Sequence, residues 1–161
     1  MTGIEAGLLA NSSFRLRIKS GIISLSMETK LFTLEEANQL LPQIKAKLEA
    51  LIQLKLEIQK LQAEIDVVEL VYQTGEKEPS EAARATIQGK LSYLDQRATQ
   101  FREDLRQFAD MGCELKDLDH GLVDFYTLRD NKMVYLCWKR GEPQIQFWHD
   151  LESGFAGRQP I

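Results

Sequence analysis

Only two of the 161 residues are histidines, and His149 is the one set in an apolar run, Gln144 to Asp150. An imidazole titrates near neutral pH, so it can serve as a metal ligand or a general base. By residue type its partners would be Glu114, Asp117, Asp124, Glu142 and Cys113. A metal site would draw on His149 with Glu114 and Glu142. A site for a small ligand would draw on Glu114, Asp117, Asp124, Glu142, Trp148 and Arg158. A metal needs three or four ligands to converge, and the chain has no His-x-x-x-His or Cys-x-x-Cys spacing. Convergence would therefore be the work of the fold. The plainer reading of His149 is a core histidine whose N–H is satisfied by a carbonyl or carboxylate. Strand alternation places it with Ile145 and Phe147 toward the apolar side, and places Gln146, Trp148 and Asp150 opposite. No cofactor is expected, and a divalent metal is the alternative.

Glu114, Lys116, Asp117, Asp119 and His120 form a polar cluster that reads as a solvated turn. Its carboxylates could instead anchor Arg158 or Arg129 in a bidentate pair and so fix the tail. Asp124 stands between Val123 and Phe125, so on a strand it faces away from both. If that side is covered, Asp124 needs a partner, because an unpaired buried carboxylate is costly. Trp138, Trp148, Phe147 and Phe155 read as the core of a small sheet. Cys137, inside Val134-Tyr135-Leu136-Cys137-Trp138, reads as a small buried hydrophobe.

Two long helices precede these residues. Thr33-Leu34-Glu35-Glu36 is a capping box: the hydroxyl accepts from the backbone three residues on and Glu36 reaches back. Steps of four and three from Leu40 give Ile44, Lys47, Leu51, Leu54, Ile58, Leu61, Ile65, Val68 and Tyr72. Nine of these ten positions are apolar or aromatic, which selects the helical period. Pro42 predicts a kink or a short entry turn. The helix should end near Tyr72, with Gly75 as its stop and Pro79-Ser80-Glu81 as the restart. Ile87, Leu91, Leu94, Ala98, Phe101, Leu105 and Phe108 repeat the stripe up to Gly112. The short connection implies an antiparallel coiled-coil hairpin with arms of roughly 45–55 Å. Leu41, Leu48, Ile52 and Leu56 lie off the stripe and widen the apolar face, which suggests a homodimer packed as a four-helix bundle.

After Gly112 the segments shorten, and turn signals separate β-favouring runs: Gly121–Phe125, Met133–Lys139 and Gln144–His149. This predicts a small antiparallel meander of about three strands, packed on the hairpin base near Phe32 and Phe108. The fold class is α+β, with a helical hairpin over 31–111 and a β module over 112–161. Residues 1–30 read as an extension, either disordered or an over-extended reading frame ahead of Met27.

Formal charge is −4, so a broadly basic nucleic-acid binder is not expected. No apolar run is long enough to span a bilayer. Two cysteines, Cys113 and Cys137, suit reduced thiols in the cytoplasm.

The words Phe32-Thr33-Leu34-Glu35-Glu36-Ala37-Asn38, Glu114-Leu115-Lys116-Asp117, Gly121-Leu122-Val123-Asp124-Phe125, Cys137-Trp138, Gly141-Glu142-Pro143, Trp148-His149 and Gly154-Phe155-Ala156-Gly157-Arg158-Gln159-Pro160 resemble the prokaryotic family named domain of unknown function 2203 (DUF2203). The resemblance covers about residues 31–161. It implies a small bacterial protein and brings no catalytic residues to transfer. The functional expectation is a non-enzymatic, self-associating interaction protein. The alternative is a metal- or small-ligand-binding module centred on His149.

Overall fold

The computed structural model describes residues 17–19, 22–24, 29–75 and 78–161. The expected extension, 1–30, falls largely outside them. Within it, β1 (Arg17–Lys19) and β2 (Ile22–Ser24) pair antiparallel.

Helix α1 runs Leu34–Thr74 and α2 runs Glu81–Asp110. The capping box forms in full. The Thr33 N–H donates to a Glu36 carboxylate oxygen at 2.8 Å, and the Glu36 N–H donates to Thr33 Oγ1 at 3.1 Å. The helix continues through Pro42, so the expected entry turn does not separate from it. One turn earlier, Asn38 is partnered twice: its amide donates to the Leu34 carbonyl at 3.0 Å and its Oδ1 accepts from the Ile145 N–H at 2.8 Å. Gly75 ends α1 in an extended conformation (φ −85°) rather than a left-handed one. Ser80 caps α2, its Oγ accepting from the Ala83 N–H.

Five strands follow: β3 (Glu114–Asp117), β4 (Leu122–Arg129), β5 (Lys132–Lys139), β6 (Phe147–Asp150) and β7 (Gln159–Pro160). They form one antiparallel sheet in chain order. The expected three strands are thus the middle of five. The polar cluster at Glu114 is partly an edge strand with a register shift at Leu115/Asp117, and the tail contributes a two-residue edge. Charged, short and irregular strands are what sheet edges require, and such strands carry no apolar alternation to read.

Asp130 and Asn131 both take positive φ (52° and 61°) in the two-residue turn joining β4 to β5, the conformation that matches the strand twist. Gly121 (φ 63°) lies where a Cβ would sit 2.5 Å from Arg140 Cβ. The tight turn into β4 therefore excludes any side chain.

Register assigns the faces, because paired residues point the same way. Val123 pairs with Trp138, and Phe125 with Leu136, which pairs with Trp148. Val123, Phe125, Leu136 and Trp138 form one core with Leu41, Ile44, Leu48 and Phe108 of the helices. The Phe32 N–H donates to the Tyr126 carbonyl at 2.8 Å, and its ring meets Phe125 edge-on at 5.3 Å. Leu41 and Leu48, two of the residues expected to widen a dimer face, are covered by this chain's own sheet.

Candidate functional site

The other sheet face is polar. Asp124 on β4 pairs with Cys137 on β5, and Tyr135 on β5 pairs with His149 on β6. Asp124, Cys137 and His149 therefore share the face turned away from the helices. This corrects the orientation expected for His149. The strand proper begins only at Phe147, so Ile145, held by Asn38 against the core, does not set the alternation.

Despite its polarity this face is buried: Asp124 is 3% exposed, Cys137 1% and His149 2%. His149 Nε2 lies 3.2 Å from Asp124 Oδ2, and its Nδ1 lies 2.8 Å from the Asp150 carbonyl oxygen. Asp124 Oδ1 has no hydrogen-bond partner. The ligand atoms of Asp124, Cys137 and His149 all fall within 4.8 Å of one another. Burial raises the Asp124 carboxyl above its ordinary value. Burial, reinforced by the Asp124 charge, pushes the Cys137 thiol up to about 12. Burial alone dominates at Cys113, which also rises to about 12.

The cover is the tail. After β6 the chain turns through Leu151–Gly154 into a short 3₁₀ turn, Phe155–Gly157, and Arg158 fastens it. Arg158 Nη2 donates to both Glu142 carboxylate oxygens at 2.7 Å and to the Cys137 carbonyl at 3.3 Å. Its guanidinium stacks 4.1 Å from the Phe147 ring centre. The carboxylate that anchors the tail is thus Glu142, not a member of the Glu114–Asp119 cluster. A cavity of about 200 Å³ remains between tail and sheet, bounded by the three buried groups with Lys116, Leu151 and Phe155.

At the rim, Tyr126 and Tyr135 donate to the two oxygens of Glu114 at 2.6 and 3.1 Å, and Lys116 pairs with the same carboxylate. Burial raises the Glu114 carboxyl, but Lys116 and the two phenols outweigh it and hold the group below its ordinary value. The Glu114 hydrogen bond in turn raises Tyr126.

The expected site residues therefore separate. Asp124 and His149 meet. Glu114 shares their face but is committed to the tyrosines, and Glu142 is committed to Arg158, so neither joins His149 in the cluster expected of a metal site. Asp117 bonds His120 on an exposed turn. Trp148 lies on the helix-facing side, in a 470 Å³ groove with Phe32, Leu128 and Ile161. Cys137 is the member that sequence reasoning left out. A signal for it exists: a two-residue turn at Asp130-Asn131 fixes the β4–β5 register and sets Cys137 opposite Asp124.

The architecture is a helical hairpin followed by a five-stranded antiparallel sheet with a buried Asp–Cys–His cluster, an α+β protein. The model of the uncharacterized conserved protein family DUF2203 matches residues 30–161, and the chain belongs to that family. No curated protein and no solved structure matches it. Among the described residues no helix is long and apolar enough to cross a membrane.

Proposed function

We propose that the protein is a cytoplasmic, self-associating interaction protein whose hairpin, 31–111, pairs with a second copy, while the module 112–161 braces the hairpin base. One observation carries the reading. Along the distal part of α1, Leu56, Val67, Leu70 and Val71 are 53–62% exposed. At about 100° per residue these four fall within an arc of roughly 100° on one side of the helix. The buried residues Leu54 and Ile65 fall on the opposite side, toward α2. The distal helix therefore carries two apolar stripes, and α2 covers one. An uncovered stripe of this kind marks an interaction surface. A second copy is the simplest occupant, because a stripe packed on its twofold mate is self-complementary and needs no other surface.

An interaction role also accords with the thiols. Burial keeps both protonated at neutral pH, so neither offers the thiolate a nucleophile requires.

Light scattering on the full chain at tens of micromolar should give the mass of a dimer. Val67→Glu with Leu70→Glu, at exposed positions outside the core, should give a monomer with unchanged helicity. A wild-type chain that stays strictly monomeric at that concentration would overturn the reading.

A further inference from the structure

His149 Nδ1 faces a backbone carbonyl at 2.8 Å. A carbonyl only accepts, so Nδ1 carries a hydrogen. In the neutral ring Nε2 then presents a lone pair, and 3.2 Å away stands a carboxylate oxygen of Asp124, also an acceptor when ionised. Two lone pairs facing each other in a buried site need a cation between them, either a proton or a metal. A proton satisfies one carboxylate oxygen and leaves the second, Oδ1, without a partner. The Cys137 thiol beside it is only a weak donor. A metal ion would use all three groups at once. An imidazole whose other N–H is fixed by a backbone carbonyl is the usual arrangement of a metal-bound histidine.

We propose that Asp124, Cys137 and His149 bind one divalent cation of the zinc class, with a fourth coordination position facing the cavity beneath the tail. The donor set is one thiolate, one imidazole and one carboxylate, which suits tetrahedral zinc and not the all-oxygen shells of calcium or magnesium. Bonds of ~2.0–2.3 Å in a tetrahedron separate the donor atoms by roughly 3.3–3.8 Å. The observed separations, all within 4.8 Å, need only a small contraction. All three groups sit on adjacent paired strands, so the sheet fixes their spacing. As the metal binds, Cys137 enters as thiolate and gives up its proton to solvent, and the metal displaces the proton shared by Asp124 and His149 Nε2, so two protons leave. The cavity of about 200 Å³ has room for a water or small ligand at the fourth position. This site lies on the sheet and does not depend on self-association through the helices.

The full chain, stripped with chelator, is titrated with Co²⁺ and then with Zn²⁺. One equivalent of cobalt should bind with a thiolate-to-metal charge-transfer band in the near ultraviolet. Cobalt binding to the stripped chain should release about two protons per metal, one from Cys137 and one from the Asp124–His149 pair, and Zn²⁺ should then displace the cobalt with no further proton release. Cys137→Ser, nearly isosteric, should abolish the band, Cys113→Ser should keep it, and Asp124→Asn should weaken binding by at least ~10–100-fold. No band in the wild-type chain at saturating cobalt overturns the proposal, as does a band that survives Cys137→Ser or vanishes with Cys113→Ser. If Asp124→Asn loses its folded circular dichroism, the wild-type and Cys137→Ser titrations still decide.

Discussion

The chain's two histidines each meet an aspartate, and the two pairs could hardly be placed more differently. Asp117 ends β3 and His120 lies on the turn after it, three residues on, with 2.9 Å between carboxylate and ring and side chains 37% and 69% exposed. Asp124 and His149 come from two strands 25 residues apart, lie 3.2 Å from each other, and are almost wholly buried. The Asp117 carboxyl is lowered, first by the His120 backbone N–H and then by the ring. The Asp124 carboxyl is raised, because desolvation exceeds everything its neighbours return. The imidazole lowers the carboxyl in both pairs, and burial decides whether the net shift follows it. The exposed pair is turn chemistry. The buried pair is held by the packing around it, which is why it is the place to look for function.

The largest effect should come from splitting the buried pair. Replacing His149 by Leu leaves Asp124 without a partner, and losing one member of a buried pair costs about 3–5 kcal/mol. Urea denaturation should register this as a lower midpoint with an unchanged slope. Asp124→Leu combined with His149→Leu should recover most of the loss, since an apolar pair of similar volume is often neutral. If the double variant is no better than the single one, the pair is not a polar unit tolerated within a covered face. The parallel change on the exposed turn, His120→Leu, should leave the midpoint where it was.

A middle-sized effect belongs to the clasp that fastens the tail over the buried pair. Arg158 and Glu142 are themselves mostly covered, their side chains 11% and 20% exposed. Arg158→Ala removes a charge-assisted hydrogen bond of about 1.5–3 kcal/mol and the stacking on Phe147. Amide exchange should speed up in Leu151–Arg158 and along β6, while the helices stay protected. Arg158→Lys should restore it only in part, because an ammonium can replace the single Nη2 that reaches Glu142 but has no planar group to stack on Phe147. Uniform exchange across the whole chain would mean that the tail is not a separable cover.

Much of this arrangement is legible in the residues themselves. Thr33 and Glu36 mark the start of α1 because the capping signal is local. The stripe from Leu40 to Tyr72 marks its length because α2 and the sheet cover it, and none of its ten residues is fully exposed. Asp124 betrays its need for a partner through its place between Val123 and Phe125. The partner's identity is less accessible. The β5–β6 register depends on the longer Arg140–Gln146 connection, whose path is set by Asn38 accepting from Ile145 and by Trp138 donating to the Glu142 carbonyl at 3.0 Å. The second is a local bond, but the first joins residues 107 apart, and no local pattern encodes it. Glu114 and Glu142 misled for a related reason: residue type shows that a carboxylate can ligate, but not that tyrosines or an arginine already hold it.

The smallest effect is the most discriminating. At the exposed turn the leading cause of the lowered Asp117 carboxyl is an amide, His120 N–H to Oδ1 at 2.8 Å. Alanine keeps that amide, so His120→Ala should leave the Asp117 titration midpoint still below the ordinary aspartate value of 3.8 when followed by NMR. The sign of the linkage follows. A carboxyl lowered in the folded state contributes stability above its unfolded pKa and loses it as pH falls through the folded value. Any stability difference between wild type and Asp117→Asn should therefore be present at neutral pH and fade below about pH 4. Added salt should reduce only the part due to the ring, because screening acts on the exposed charge and not on a short local hydrogen bond. Should His120→Ala return Asp117 fully to its ordinary value, the ring and not the backbone sets the exposed pair. The contrast with Asp124 would then be one of two side-chain pairs differing in depth, rather than a turn set against a site.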